Sequence, residues 1–382
     1  MEQVFFGLHE NCVRSITSAL NPRQRVVGLV LLCLTSLSLV AALVLLHAVF
    51  ASDHAHFECL PDSPVMSTAV LVDLAVAHGG ECVGSAVLHG AAPGGGEGCF
   101  IDHVATFARD KGFLALPRRL LGQHRIEVAT LVVRDDDACL GPPIAAALLR
   151  HVVGYDTFWL NWALRYFGGG GYFHSLNMET VQPLAKIEQV TATKAAWPSL
   201  FALKLGSLCA IAFLFYVVST MVSFTLRQTQ NKMLRFTYML ERSVRYGMPY
   251  RGLVMTHVVD SLVFVPMMVG MLFFLFQFYD DQVLALLVLS CVWLSEVYAI
   301  IACRTRASLV FFPRVFFGLF CAFHLYLFSW PAGFTHLALA ATVSLLLLTM
   351  AVLWNHAEVP ALQHNKISSA TPRQLRQPFL QF

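Results

Sequence analysis

Asp260, Glu296 and Arg314 are ionisable residues embedded in otherwise apolar stretches, where an unpaired charge costs several kcal/mol and marks a functional candidate. Asp260 lies eight residues beyond Gly252, Glu296 eight before Arg304 and Arg314 eight beyond Arg306. At about 1.5 Å per helical residue, each is about 12 Å from its nearest polar loop. Two acids and one base therefore occupy one depth on three successive stretches. The economical expectation is a Glu296–Arg314 ion pair that locks helix packing, with His257 and Asp260 hydrogen-bonded nearby or protonated. A proton relay or substrate site is the sharper alternative, and snorkelling of Arg314 to the membrane surface is a third.

The elements that must position this charge cluster are membrane helices. Residues 26–50 form a run of 25 without an acid, Lys or Arg, and a bilayer core of about 30 Å is crossed by roughly 20 helical residues. Residues 200–226, 253–278, 283–303, 309–330 and 334–354 also reach that length, which predicts six spans. A hydrophobic share of 57% against 13% charged residues agrees and excludes a single water-soluble domain. The first run is too long for the apolar core of a signal peptide, so it reads as a retained anchor, with cleavage after Ala48 or Ala51 the minor alternative.

Loop charges predict the orientation. Arg227, Lys232, Arg235, Arg242, Arg245 and Arg251 fill the second-to-third connection, Arg304 and Arg306 the fourth-to-fifth, and Lys366, Arg373 and Arg376 the tail. The turns 279–282 and 331–333 have neither Lys nor Arg. The positive-inside rule then places both termini in the cytosol and residues 51–199 on the opposite, luminal side. The organisation is a cytosolic N-terminus (1–25), span 1 (26–50), a luminal domain (51–199), span 2 (200–226), a cytosolic connection (227–252), spans 3 to 6 (253–354) and a cytosolic tail (355–382).

Within the luminal segment, residues 65–77, 99–108 and 125–133 are β-branched, partly alternating runs bounded by Gly and Pro. They predict an antiparallel sheet or small sandwich. Residues 142–167 predict a helix, broken near Gly154 and ended by the glycines at 168–171. The Gly-rich run 90–98 lacks the Lys and Ser or Thr of a phosphate loop and reads as a flexible loop tip. Cys59, Cys82, Cys99 and Cys139 form an even set in an oxidising compartment, which predicts two disulfides with three possible pairings. Zinc competes weakly, since no C-x-x-C pair or H-E-x-x-H helix occurs. No metal or cofactor is implied, and no N-glycosylation sequon is present.

Residues 228–247 are too polar to cross, yet Met233, Phe236, Leu240 and Val244 recur at three- and four-residue intervals beside Lys232, Arg235, Arg242 and Arg245. The pattern predicts a helix lying on the cytosolic membrane surface, or a docking surface for a cytosolic partner.

The run Val292-Trp293-Leu294-Ser295-Glu296-Val297-Tyr298-Ala299-Ile300, followed by Cys303, resembles a Trp-Leu-Ala-Asp-Gln-Tyr-Asp-type motif of the membralin family. Further matches follow in order: Gly112-Phe113-Leu114, Val132-Val133, Asp135, Cys139 and Gly141, then Gly154-Tyr155-Asp156. Val269-Gly270-Met271, Arg314 with Phe316 and Phe317, and the exit residues His356, Glu358, Pro360, Ala361 and Leu362 complete them. The resemblance runs from the first span to about Leu362. Glu296 replaces an Asp, Ala299 a second Asp, Leu272 stands where a Glu is expected, and the tail is short.

The resemblance implies a multi-pass α-helical endoplasmic-reticulum protein with a β-rich α+β luminal domain. It implies an adaptor, not an enzyme, that helps a membrane-bound RING-type ubiquitin ligase handle misfolded membrane or luminal clients in ER-associated degradation and the ER stress response. A transporter or channel using the buried charges of spans 3 to 5 is the alternative, although no internal repeat is visible. No nucleic-acid partner is implied.

Overall fold

The computed structural model describes residues 2–51, 65, 68–79, 86–89, 100–135, 140, 146–147, 149–168, 170–177, 179–185, 197–246, 251–262, 264–279, 281–330 and 332–367. The chain divides into two units. A helical unit comprises residues 1–39, 203–325 and 338–382, and a sheet unit comprises residues 40–202 and 326–337.

Helix α1 (Glu2–Ala19) precedes the long apolar α2 (Pro22–Leu46), which ends in a π turn at His47–Ala51. The sheet unit then contributes β1 (Leu71–His78), β2 (Ala86–His89), β3 (Phe100–Ala108), α3 (Lys111–Leu114), α4 (Arg118–Gln123) and β4 (Val128–Arg134). A second π turn (Leu149–Val153) leads to α5 (Asp156–Phe167), β5 (Tyr172–Ser175) and β6 (Thr180–Pro183). The six strands lie in the order β2-β4-β1-β3-β5-β6. β1 pairs parallel with β4, and every other pairing is antiparallel. The sheet is thus mixed, which corrects the antiparallel expectation. Alternation along a strand reports which face is buried and leaves strand direction open.

A helix, not a second sheet, covers one face. Val72, Leu74 and Val76 of β1, Ala129, Leu131 and Val133 of β4 and Phe107 of β3 belong to one core with Phe158, Trp159 and Trp162 of α5. Their period of two is the strand alternation that the sequence displays. Of the helix expected over residues 142–167, the part from Asp156 onward is α5. Gly154 is the break, at φ 84°, a left-handed geometry that a side chain resists. After α5, Gly171 (φ 118°) passes so close to β3 that a Cβ would come within 2.7 Å of the Phe107 ring. β1 begins at Leu71, six residues later than expected.

In the helical unit, α6 (Trp197–Arg245) runs for 49 residues without interruption. It is followed by α7 (Arg251–Leu262), α8 (Phe264–Phe276), α9 (Gln282–Ile301), α10 (Arg306–Ser329) and α11 (Thr335–Leu353). A π turn at Trp354–Glu358 leads into the short α12 (Val359–Gln363). Asp281 caps α9, its carboxylate accepting from the Val283 N–H at 2.8 Å. Among the described residues, five helical stretches are long and apolar enough to cross a membrane: Pro22–Val49, Lys204–Thr229, Gln282–Ile301, Arg306–Ser329 and Thr335–Gln363. The stretch read as the third span is occupied by α7 and α8, on either side of residue 263, and neither alone reaches spanning length.

α6 corrects the expectation of a separate surface helix. Its apolar segment, Lys204–Thr229, continues straight into residues 230–245. That extension adds about 24 Å of rigid helix beyond the spanning portion. Along it, Lys232, Phe236, Leu240 and Ser243 are half-buried on one ridge, while Met233 and Val244 are 53% and 65% exposed. The expected apolar stripe is therefore displaced by roughly one position. Arg242 and Arg245 are exposed, the latter bonding Glu241 at 2.8 Å, and the side chain of Arg235 lies outside the described residues.

Candidate functional site

Glu296 stands on α9, turned toward α6. Its two carboxylate oxygens accept hydrogen bonds from Ser219 (2.6 Å) and Ser223 (2.5 Å). The serines are four residues apart, hence on one face of α6. The expected partner, Arg314, is not there, since among the described residues no cation lies within 4.0 Å of Glu296. Helical geometry explains the miss. Phe312, Phe316 and Phe320 form the buried ridge of α10, at 2–5% exposure. Arg314 is two residues from Phe312 and from Phe316, so it projects roughly 200° from that ridge, and it is exposed. The side chains of His257 and Asp260, both on α7, lie outside the described residues.

A second carboxylate, at the far end of α11, is more completely enclosed. Glu358, fully buried in the π turn, accepts through Oε1 from the backbone N–H groups of Arg304 (3.1 Å) and Thr305 (3.1 Å) and from the Thr305 hydroxyl (2.9 Å). Those N–H groups lie immediately before α10, where no carbonyl of that helix can accept from them. The Arg304 guanidinium, also fully buried, donates to the carbonyls of Ile300 and Ile301 at 3.2 Å, closing the end of α9. His9 of α1 completes the group, with Nε2 3.9 Å from Glu358 Oε2 and its ring edge-on to Trp354 at 5.2 Å. Burial holds the His9 pKa below the ordinary histidine value; Glu358 opposes this effect and Arg304 adds to it. Both His9 ring nitrogens and Glu358 Oε2 have no hydrogen-bond partner among the described residues.

A histidine–tyrosine contact ties the turn before α9 to α10. His324, fully buried, donates from Nδ1 to the Phe320 carbonyl (2.7 Å), which leaves Nε2 to accept from the Tyr279 hydroxyl (2.5 Å).

In the sheet unit, Asp135 follows β4 and receives His78 Nδ1 at 3.1 Å and an Arg150 nitrogen at 3.2 Å. The Tyr155 ring lies 6.5 Å from that of His78. Desolvation raises the Tyr155 pKa; Arg150 lowers it in part, and Asp135 adds to the rise. Next along the chain, Asp156 accepts from Ser175 at 3.0 Å, so α5 is pinned to β5. Asn161 donates to the Ala332 carbonyl at 2.8 Å, tying α5 to the short segment that precedes α11. His78, Asp135 and Ser175, distant from one another in the chain, thus converge on the Tyr155–Asp156 end of α5. Cys59, Cys82, Cys99 and Cys139 lie outside the described residues.

The sequence flagged Glu358 only through the exit motif, and Arg304 only as a loop charge. The involvement of His9, Ser219 and Ser223 carried no sequence signal beyond the pairing of two serines at helical spacing. The resulting arrangements hold helices together and orient carboxylates. Their donors are hydroxyls, amides and a guanidinium, suited to recognition and packing.

No family model matches the chain. No solved structure matches it either. A curated relative named Membralin-like protein, from Arabidopsis thaliana, is 39% identical over 257 residues, 67% of this chain. The chain spans 41% of that relative's length. With five helices of spanning length among the described residues and a mixed sheet, this chain is a membrane protein that belongs to the membralin family.

Proposed function

We propose that this chain is an adaptor of the endoplasmic-reticulum membrane that helps a membrane-bound RING-type ubiquitin ligase handle misfolded membrane or luminal proteins in ER-associated degradation. The observation that carries the reading is the family relationship over 257 residues. The uneven distribution of Lys and Arg among the short loops supports cytosolic termini and a luminal sheet unit. On that orientation, the extension of α6 stands about 24 Å into the cytosol. It exposes Tyr238, Met239, Val244 and Tyr246 among its bases, which suits contact with a cytosolic partner.

The test is affinity purification of the full chain in a mild detergent, followed by mass spectrometry. A RING-type ligase and other degradation factors should co-purify with the wild type. Scrambling residues 230–245 with charge retained should leave the chain in the membrane but deplete the ligase at least fivefold. A purification free of ubiquitin machinery, together with Glu296-dependent solute movement in proteoliposomes, would replace the adaptor by a transporter.

A further inference from the structure

The part of α6 beyond its spanning segment has two unlike sides. Lys232, Phe236, Leu240 and Ser243 form its half-buried ridge. Tyr238 and Arg242 each stand two residues from Leu240, roughly 160° around the helix. Arg245 and Tyr246 follow one turn after Arg242 on that same side. All four are exposed, Tyr238 at 66% and Tyr246 at 70%. The result is a two-turn stripe in the order Tyr, Arg, Arg, Tyr. Interfaces favour these two residue types, because a tyrosine ring gives rigid contact area at low entropic cost and a guanidinium gives a planar fork for carboxylates.

Charge decides what such a stripe can hold. Residues 227–251 carry six bases against the single acid Glu241, so two copies of this helix repel each other side by side. The chain's own residues 359–382 are excluded on the same ground, having Lys366, Arg373 and Arg376 and no acid. Depth removes anionic lipid. Lys204–Thr229 alone covers about 39 Å, more than the bilayer core, and Tyr238 to Tyr246 lie about 13–25 Å past Thr229, beyond a headgroup layer of about 5–8 Å. A polypeptide rich in carboxylates remains. Glu241 holds Arg245 at 2.8 Å, but a pair open to water is weak and exchanges readily for an incoming carboxylate.

We propose that the stripe from Tyr238 to Tyr246 is a docking site for an acidic segment of a cytosolic protein. Carboxylates of that segment pair with Arg242 and Arg245, and its apolar side chains rest on Tyr238 and Tyr246. The proposal deepens the adaptor reading, on whose orientation of α6 it rests, by naming the chemistry of the partner. Opposite charge speeds encounter, and the two tyrosines select among acidic chains by shape.

The test uses the full chain in nanodiscs of phosphatidylcholine alone, with a fluorescent helical peptide of Glu and Leu as probe and its Lys and Leu counterpart as control. The acidic peptide should bind and the basic one should not. Raising salt from about 0.1 M to about 1 M shortens the screening length from about 10 Å to about 3 Å and should weaken binding about tenfold. The double variant R242E/R245E should abolish binding. Y238A/Y246A, with every charge kept, should weaken it about fivefold, as expected for loss of interface anchors. E241Q should tighten it by freeing Arg245. All these side chains are exposed, so the fold does not depend on them. In native membranes, a photo-crosslinker at Met239 should capture peptides rich in Asp and Glu, and lose them in R242E/R245E. Equal binding of the two peptides, no loss in R242E/R245E, no loss in Y238A/Y246A, or crosslinks to lipid or to a second copy of this chain would overturn the proposal. Acidic-peptide binding that meets these expectations while no ligase co-purifies would instead refute the adaptor reading and leave the docking site standing.

Discussion

The sheet unit and helix α2 place similar residues in opposite ways. Leu74, Val76, Phe107 and Trp159 are all at 0% exposure in the sheet unit, whereas Val30, Leu31, Leu34 and Leu37 on α2 are 52–60% exposed. The sheet unit alternates in a period of two and turns its apolar face to α5, which is the arrangement water enforces. α2 is apolar around its whole circumference and keeps most of it outward, as a lipid-facing helix can. The polar groups reverse in the same sense. In the helical unit, buried carboxylates are held by hydroxyls, backbone N–H groups and a fully enclosed arginine. In the sheet unit, the Asp135, His78 and Arg150 group sits partly exposed, with 16%, 29% and 50% of the respective side chains accessible. Ion pairs open to water need little pre-arranged support, and those in an apolar setting need every donor.

This contrast can be broken most forcefully at Trp159. Trp159→Ala should destabilise the sheet unit by about 3–5 kcal/mol, read as earlier protease cleavage on heating. Leu34→Ala on α2 should change the melting of the full chain by less than about 0.5 kcal/mol, because an outward position loses no packing. Similar losses at the two sites would mean that α2 buries its apolar face in this chain.

A smaller effect is expected at Glu358. Glu358→Ala leaves two backbone N–H groups and a hydroxyl without an acceptor in a closed site, a cost of about 3 kcal/mol in detergent melting. Glu358→Gln keeps an acceptor and should cost less than half as much. Equal losses would show that the charge, and not the hydrogen bonding, holds the turn.

The serines should contribute less still. Replacing Ser219 and Ser223 together with Ala should lower stability by about 1–2 kcal/mol and have little effect when Glu296 is already Gln. Additive effects would separate the serines from Glu296.

Least in size is the pH response of α1. Because His9 holds its proton less tightly in the folded chain than the ordinary value of 6.5, the unfolded form takes up more protons as the pH falls. Docking of α1 is therefore fully supported above pH 6.5 and weakens progressively as acid approaches the folded value. Hydrogen exchange in α1 should accelerate below that point, and His9→Leu should remove this component. An unchanged acid response in the variant would assign it to another group.

Apolar run length located the spanning helices in the sequence, and β-branched alternation located β1, β3 and β4, because both signals reflect burial directly. The short strands β2, β5 and β6 escaped, since four residues are too few to show a period. α1 escaped because its buried residues are shared with polar ones such as His9, which sequence alone cannot pair with Glu358. The depth of Glu296 and Arg314 could be counted, but the face each occupies depends on rotation about the helix axis, fixed here by the Phe312, Phe316 and Phe320 ridge. The junction of α6 with its extension was misread because a change from apolar to basic composition looks the same whether the helix bends or continues.

Pulse-chase proteomics of a null cell line, with and without the restored chain, is the decisive experiment for the proposed adaptor role. Loss of the chain should lengthen the half-lives of a restricted set of endoplasmic-reticulum membrane and luminal proteins, leave bulk cytosolic turnover unchanged and raise unfolded-protein signalling, with all three reversed on restoration. Unchanged half-lives for every protein of that compartment would contradict it.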